Sequence, residues 1–289
     1  VTGVGCSSCV DVELNRAFRN TWFVVALLVG VALALTSAAL QIDRYLQYVA
    51  LDFSSEKYYP PHIYNCFGMW MSVEFINPTS LLFYRMAPLL AAVPFSWSLG
   101  EDFRTGYISQ LRTRKPMPAY IIGKLTACFL VGGIVVVFPQ LVNFVAIACF
   151  VPAYMPDITD AMYLGIFDDN LFSGLFYGSP VLYVLSYCAL DFILAGLWSG
   201  FVACVSYFVR NRVLTIAAPY LALAIIQVVN ERIFILLGGI KGIQLSLFEN
   251  LRAATSMYVQ SMDVIVAESM VLLLFVALSV WAILKRDCL

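Results

Sequence analysis

The chain is poor in charge and nearly without histidine. Asp, Glu, Lys and Arg make up 12% of its 289 residues, and His62 is the single histidine. One histidine excludes a two-histidine metal site and leaves no second choice of base for a Ser/His or Cys/His pair. Neither H-E-x-x-H nor G-x-S-x-G occurs, so the positioned nucleophile, base or metal set of a membrane-embedded protease or transferase is missing. A G-x-x-x-x-G-K-[ST] phosphate loop is missing too: Gly123-Lys124 is followed by Leu125 and lacks the upstream glycine. The chain carries no ATPase site of its own and is not read as an enzyme.

What fills it instead is apolar surface. Hydrophobic residues make up 62% and the mean hydropathy is +0.86, more than a water-soluble core can hide. Six runs approach or exceed the ~20 residues with which a helix crosses ~30 Å of hydrocarbon: 22–40, 80–99, 121–151, 181–209, 213–237 and 264–284. The expected fold is an all-α integral membrane protein of six transmembrane helices, one domain over 1–289. The first run is long enough to span and lacks a small-residue cleavage pattern, so it reads as a true span. Pro94 in the second run and Pro139 in the third are the expected kink sites.

Basic residues set the orientation. With both termini inside, Arg16, Arg19, Arg104, Arg112, Arg114, Lys115, Lys124, Arg210, Arg212, Lys285 and Arg286 face the cytoplasm. Arg44, Lys57, Arg85, Arg232, Lys241 and Arg252 lie outside or near the outer boundary. Asp43, Asp52, Glu56, Glu74, Asp157, Asp160, Asp168, Asp169, Glu231 and Glu249 make the outer face electronegative. A chain of net charge −1 with this polarity is no nucleic-acid binder.

Segment 10–20 places Val10, Leu14, Ala17 and Phe18 at helical spacing and reads as an interfacial amphipathic helix. Cys6 and Cys9 form a C-x-x-C, two ligands short of a zinc site. The external segment 41–79 is rich in aromatics suited to a membrane interface, including Tyr45, Tyr48, Tyr64 and Trp70, with Pro60 and Pro61 breaking any helix. Asp157, Asp160, Asp168 and Asp169 in 152–180 read as a solvated acidic loop, with a divalent cation as the alternative.

Segment 95–124 is the most informative, holding five of the seventeen Lys and Arg. Phe103, Tyr107 and Leu111 recur at i, i+4 and i+8, with Glu101 and Asp102 at the start and Arg112, Arg114 and Lys115 at the end. That is a short amphipathic helix with charges matched to its dipole, stopped by Pro116 and Pro118. A glutamate at the end of the second span, Gly106 five residues on, a basic proline turn, then Tyr120 and Gly123-Lys124 opening the third span resemble the permease subunits of the ABC-2 transporter family. Six spans, a preceding amphipathic helix and the glycine-containing external segment 238–263 fit that likeness.

The resemblance implies that 101–112 is a cytoplasmic coupling helix between spans 2 and 3, docking on a separate ABC ATPase subunit through Glu101, Phe103, Arg104, Gly106, Tyr107, Leu111 and Arg112. ATP and Mg would sit on that partner, and this chain would bind no cofactor. It also implies a second permease copy or a related permease, a bacterial cytoplasmic membrane, and export of an amphipathic cargo such as a peptide, drug, antibiotic or lipid-linked molecule.

Within the spans, Asp191 and Glu268 need explaining, since a charge at the centre of a span costs about 2.5 to 3.5 kcal/mol on insertion scales. Asp191 reads as facing a polar pathway, pairing with Arg85 or carrying a proton; Glu268 as reached by water. Asn143 and Gln227, with Gln140, are further groups that line a route or bond across helices. Gly196 and Gly200 form a G-x-x-x-G for close helix packing, within the bundle or at a permease dimer seam. The alternative function is a proton-coupled secondary transporter using Asp191.

Overall fold

A computed structural model describes residues 3–50, 64–74, 76–112, 116–209, 211–236, 242–243, 245–253 and 258–287. Pro60, Pro61, His62, Arg114, Lys115, Arg210, Gly238 and Gly239, on which parts of the sequence reading rest, lie outside the described residues. The helices are α1 (Gly3–Phe18), α2 (Thr21–Ala50), α3 (Pro78–Ala92), α4 (Ser98–Arg104), α5 (Tyr107–Arg112), α6 (Met117–Ala148), α7 (Ala161–Leu164), α8 (Ser173–Gly178), α9 (Pro180–Phe208), α10 (Arg212–Leu236), α11 (Leu247–Asn250) and α12 (Met262–Asp287). Among the described residues the exception to helix and turn is a two-residue parallel pairing of Gly242–Ile243 with Tyr258–Val259.

Five helices, α2, α6, α9, α10 and α12, are long and apolar enough to cross a membrane, which marks an integral membrane protein. At the centre α6 packs along α9. Lipid offers no hydrophobic drive between helices, so close contact depends on small residues. A Cβ at Gly196 would lie 2.6 Å from the Phe129 ring, and one at Gly132 would lie 2.5 Å from Ser199 Cβ, whereas one at Gly200 would meet nothing within 4 Å. The G-x-x-x-G of α9 is therefore an intramolecular seam at its first glycine only. On α2 the stripe Ala26, Gly30, Ala34, Ser37, Ala38 and Gln41 is buried, while Val24, Leu28, Leu35 and Leu40 stay exposed as a lipid-facing side.

The second expected span is built differently. α3 has 15 residues, ~22 Å at 1.5 Å each, short of the ~30 Å core. It ends where Pro94 removes an amide donor, and the chain passes through turns to α4. Bonds from Val93 N to the Leu89 carbonyl, 3.0 Å, and from Ser96 N to the Ala92 carbonyl, 3.2 Å, keep its path nearly helical. Pro139, by contrast, lies within the unbroken α6.

At the end of the bundle away from α4, residues 64–74 and 245–253 fold inward. Trp70, Met71, Leu247 and Leu251 are all buried, so Trp70 belongs to the core and not to a membrane interface. Tyr45 and Tyr48 lie on α2, not on a loop. The Trp70 indole donates to the Gln140 carbonyl at 3.2 Å, and Ala253 N donates to Ser72 Oγ at 3.0 Å.

Gly196→Ala is expected to destabilise the detergent-solubilised protein by about 1–3 kcal/mol through overpacking against Phe129. Gly200→Ala is expected to stay within about 0.5 kcal/mol of the parent. Thermal unfolding of the pair checks the assignment of the seam.

Candidate functional site

On α1, a Cys9–Glu13–Ala17 stripe at i, i+4, i+8 is the buried one, and Phe18 is 40% exposed. The apolar edge expected from Val10, Leu14, Ala17 and Phe18 is thus rotated, because the helix lies on α6 and not simply on a membrane surface. Gly123 permits the approach: a Cβ there would come within 3.2 Å of the Cys9 and Val10 backbone. One residue on, Lys124 is fully buried.

Lys124 Nζ donates to Glu13 Oε2 at 3.0 Å and to Asp102 Oδ2 at 2.7 Å. Arg16 bridges the same two carboxylates, Nη1 to Glu13 Oε1 and Nη2 to Asp102 Oδ1, both at 3.0 Å. Tyr120 Oη donates to Asp102 Oδ2 at 2.6 Å, and Lys124 Nζ stands 4.2 Å from the Phe95 ring centre. Two carboxylates and two cations give a neutral quartet joining α1, α4 and α6. Burial alone would raise the Asp102 carboxyl; the Arg16 hydrogen bonds and the Lys124 charge instead hold it below the usual carboxylate value. Beside the quartet opens a cleft of about 480 Å³, bordered by Arg16, Trp97, Glu101, Asp102 and Tyr107.

The segment expected to be one amphipathic helix is two. Gly106 takes a φ of 74°, a left-handed conformation open to glycine, and divides α4 from α5. Phe103, Tyr107 and Leu111 pack inward against Leu99, Ile108, Tyr120, Ile121 and Ile283, so this apolar face is already occupied by the chain itself. Glu101 pairs with Arg212 at the start of α10, whose guanidinium lies 4.6 Å from the Trp97 ring centre. Arg104, Thr105, Ser109 and Gln110 form the exposed side; the Arg112 side chain lies outside what is described. Gly100 N donates to Ser206 Oγ at 2.8 Å, fixing α4 on the end of α9.

Of the expected pathway residues, Asp191 and Gln140 bond across helices, while Asn143 and Gln227 are bonded elsewhere. Asn143 is a bridge, donating to the Ala34 carbonyl at 2.8 Å and accepting from Met71 N at 3.1 Å. Asp191 accepts from Gln140 Nε2 at 2.6 Å. Gln227 donates to Glu231 at 2.8 Å, one turn along its own helix. Arg85 does not pair with Asp191; it reaches Glu249 at 3.3 Å and Glu231 at 3.9 Å.

In the segment after α6, Asp157 caps a short turn by accepting from Thr159 N at 2.9 Å. Among the described residues no group of three or more His, Cys, Asp and Glu gathers where a metal could sit.

No family model matches the chain, and neither a curated protein nor a solved structure matches it.

The quartet was not singled out from sequence as a unit. Its visible trace is Glu13 set four residues from Cys9 and from Ala17, with Gly123-Lys124 carrying a lysine into an apolar helix behind a glycine. Lys124→Met would leave Glu13 and Asp102 buried beside each other and is expected to lose about 3–5 kcal/mol, read by thermal unfolding in detergent; adding Glu13→Gln should return part of it.

Since the Asp102 carboxyl is lowered on folding, its contribution is complete above the unfolded value of about 3.9 and fades as pH falls through the lower folded value. Asp102→Asn is expected to flatten the acid limb of the stability curve below about pH 4. An unchanged acid limb would remove the carboxylate from this role.

Proposed function

We propose that the chain is the membrane-spanning subunit of an ATP-driven exporter of the ABC-2 type, working with separate ATPase subunits and a second permease. One observation carries the reading. The α4–α5 element lies at the same end of the bundle as α1 and is bound into α6 by the buried quartet. A soluble ATPase gripping α4–α5 would therefore pull on a rigid connection to a central transmembrane helix, with Glu101–Arg212 carrying the same displacement to α10. The motion still requires the ATPase to bind one arrangement more tightly than another.

In this reading α3 and the turns that follow it, through Pro94 to Trp97, together form the second of six crossings, and α4 begins the cytoplasmic element. The end carrying α1, α4 and α5 faces the cytoplasm of a bacterial cell, which places both termini there. ATP and Mg belong to the partner. The docking surface is the exposed side of the element, centred on Arg104, while Phe103, Tyr107 and Leu111 hold the element in shape.

Purification from the native membrane in mild detergent is expected to bring down an ATPase in stoichiometric amount. Arg104→Glu should reduce its recovery several-fold without altering insertion. Absence of any ATPase, under conditions that keep a known ABC complex intact, would sink the proposal.

A further inference from the structure

α10 and α12 both lean on α9, and the space between them is not closed. A cavity of about 370 Å³ lies there, walled by Trp198 and Phe201 of α9, Ala222 and Ile226 of α10, and Glu268 and Val271 of α12. That volume falls within the ~300–1,000 Å³ of pockets that bury drug-sized ligands. Ile226 and Val271 are 44% and 64% exposed, so the mouth opens on the side that lipid covers.

The wall is apolar and aromatic with one ionisable group. Trp198 is fixed by its indole N–H, which donates to the Pro88 carbonyl at 2.9 Å. Its ring stacks on Phe201 at 5.3 Å, and Phe201 meets Phe275 at 4.6 Å. Glu268 accepts from Asn250 Nδ2 at 2.8 Å, a neutral partner that orients the carboxylate without balancing its charge. Arg85 is engaged by Glu249 and Glu231, and Arg252 donates to the Glu74 carbonyl. A carboxylate held in an apolar cavity beside aromatic faces is complementary to a cation that is itself apolar.

We infer that this cavity binds a monovalent hydrophobic cation, an organic ammonium or phosphonium of drug-like size, with Glu268 as counter-ion and Trp198 and Phe201 as the aromatic wall. Such a molecule partitions into the bilayer and enters sideways between α10 and α12. The inference names a cargo class and rests on the transport reading only in calling the ligand cargo; the binding itself requires no ATPase.

Equilibrium binding of tetraphenylphosphonium to the purified chain in nanodiscs, against the similarly shaped anion tetraphenylborate, tests it. The wild type is expected to prefer the cation. Glu268→Gln keeps an acceptor for Asn250 and should weaken cation binding by about tenfold or more, the equivalent of one lost charge contact, while leaving the anion unaffected or improved. Ala222→Phe fills the cavity and should weaken cation binding even where the carboxylate is retained. Equal affinity of the wild type for both ions, wild-type cation affinity in Glu268→Gln, or wild-type cation affinity in Ala222→Phe would each overturn the inference. Failure to recover an ATPase bears on the exporter reading and leaves this measurement intact.

Discussion

An ammonium group with no water around it must be neutralised, and at Lys124 two carboxylates from two other helices do so. Much of that end of the molecule follows from this requirement. Glu13 can reach Lys124 only if α1 lies against α6 with the Cys9–Glu13–Ala17 stripe inward. Asp102 can reach it only if the chain turns at Pro94 and brings α4 back over the start of α6. Having supplied two negative charges to one positive, the arrangement needs a second cation, and Arg16 spans both carboxylates. Buried ion groups add less to stability than their contacts suggest, because desolvation opposes them. We read the role of this one as registry: apolar helices slide and rotate against one another at small penalty, but four interlocked charges fit in one position.

The sequence displays the long helices because their signal is local. Twenty apolar residues in a row need no partner to be recognised, and five of the six expected runs are long helices whose ends lie within about ten residues of those expected. The sixth was harder because Pro88 and Pro94 lie within one apolar stretch, and hydropathy does not register where a backbone donor is missing. The face of the 103–111 segment was misread for a related reason. Periodicity states that Phe103, Tyr107 and Leu111 share a side, but not whether that side meets a partner or the same chain, and it does not register the left-handed φ at Gly106. Least legible was the quartet, whose links from α1 to α4 and to α6 span 86 and 111 residues; pairwise charge complementarity over such separations has no period to detect. Asn143 was visible as a polar residue in a span, yet its use as a brace between α2 and the 64–74 turn depends wholly on tertiary contact.

The two inward-folded segments, 64–74 and 245–253, depend on the rest of the fold for their backbone partners. Their backbone is irregular, and irregular backbone at membrane depth is tolerated only where protein, not lipid, surrounds it. The long helices carry all their own hydrogen bonds and can enter the bilayer singly as they are synthesised. These segments cannot: Met71 N has its acceptor on α6, and Ala253 N has its acceptor on the other segment. Neither satisfies its backbone alone: the first borrows an acceptor from α6, and the second borrows one from the first. The end farthest from the charged quartet is therefore held by backbone amides that depend on their neighbours for acceptors, and losing Asn143 or Ser72 would leave one of them buried and unpaired.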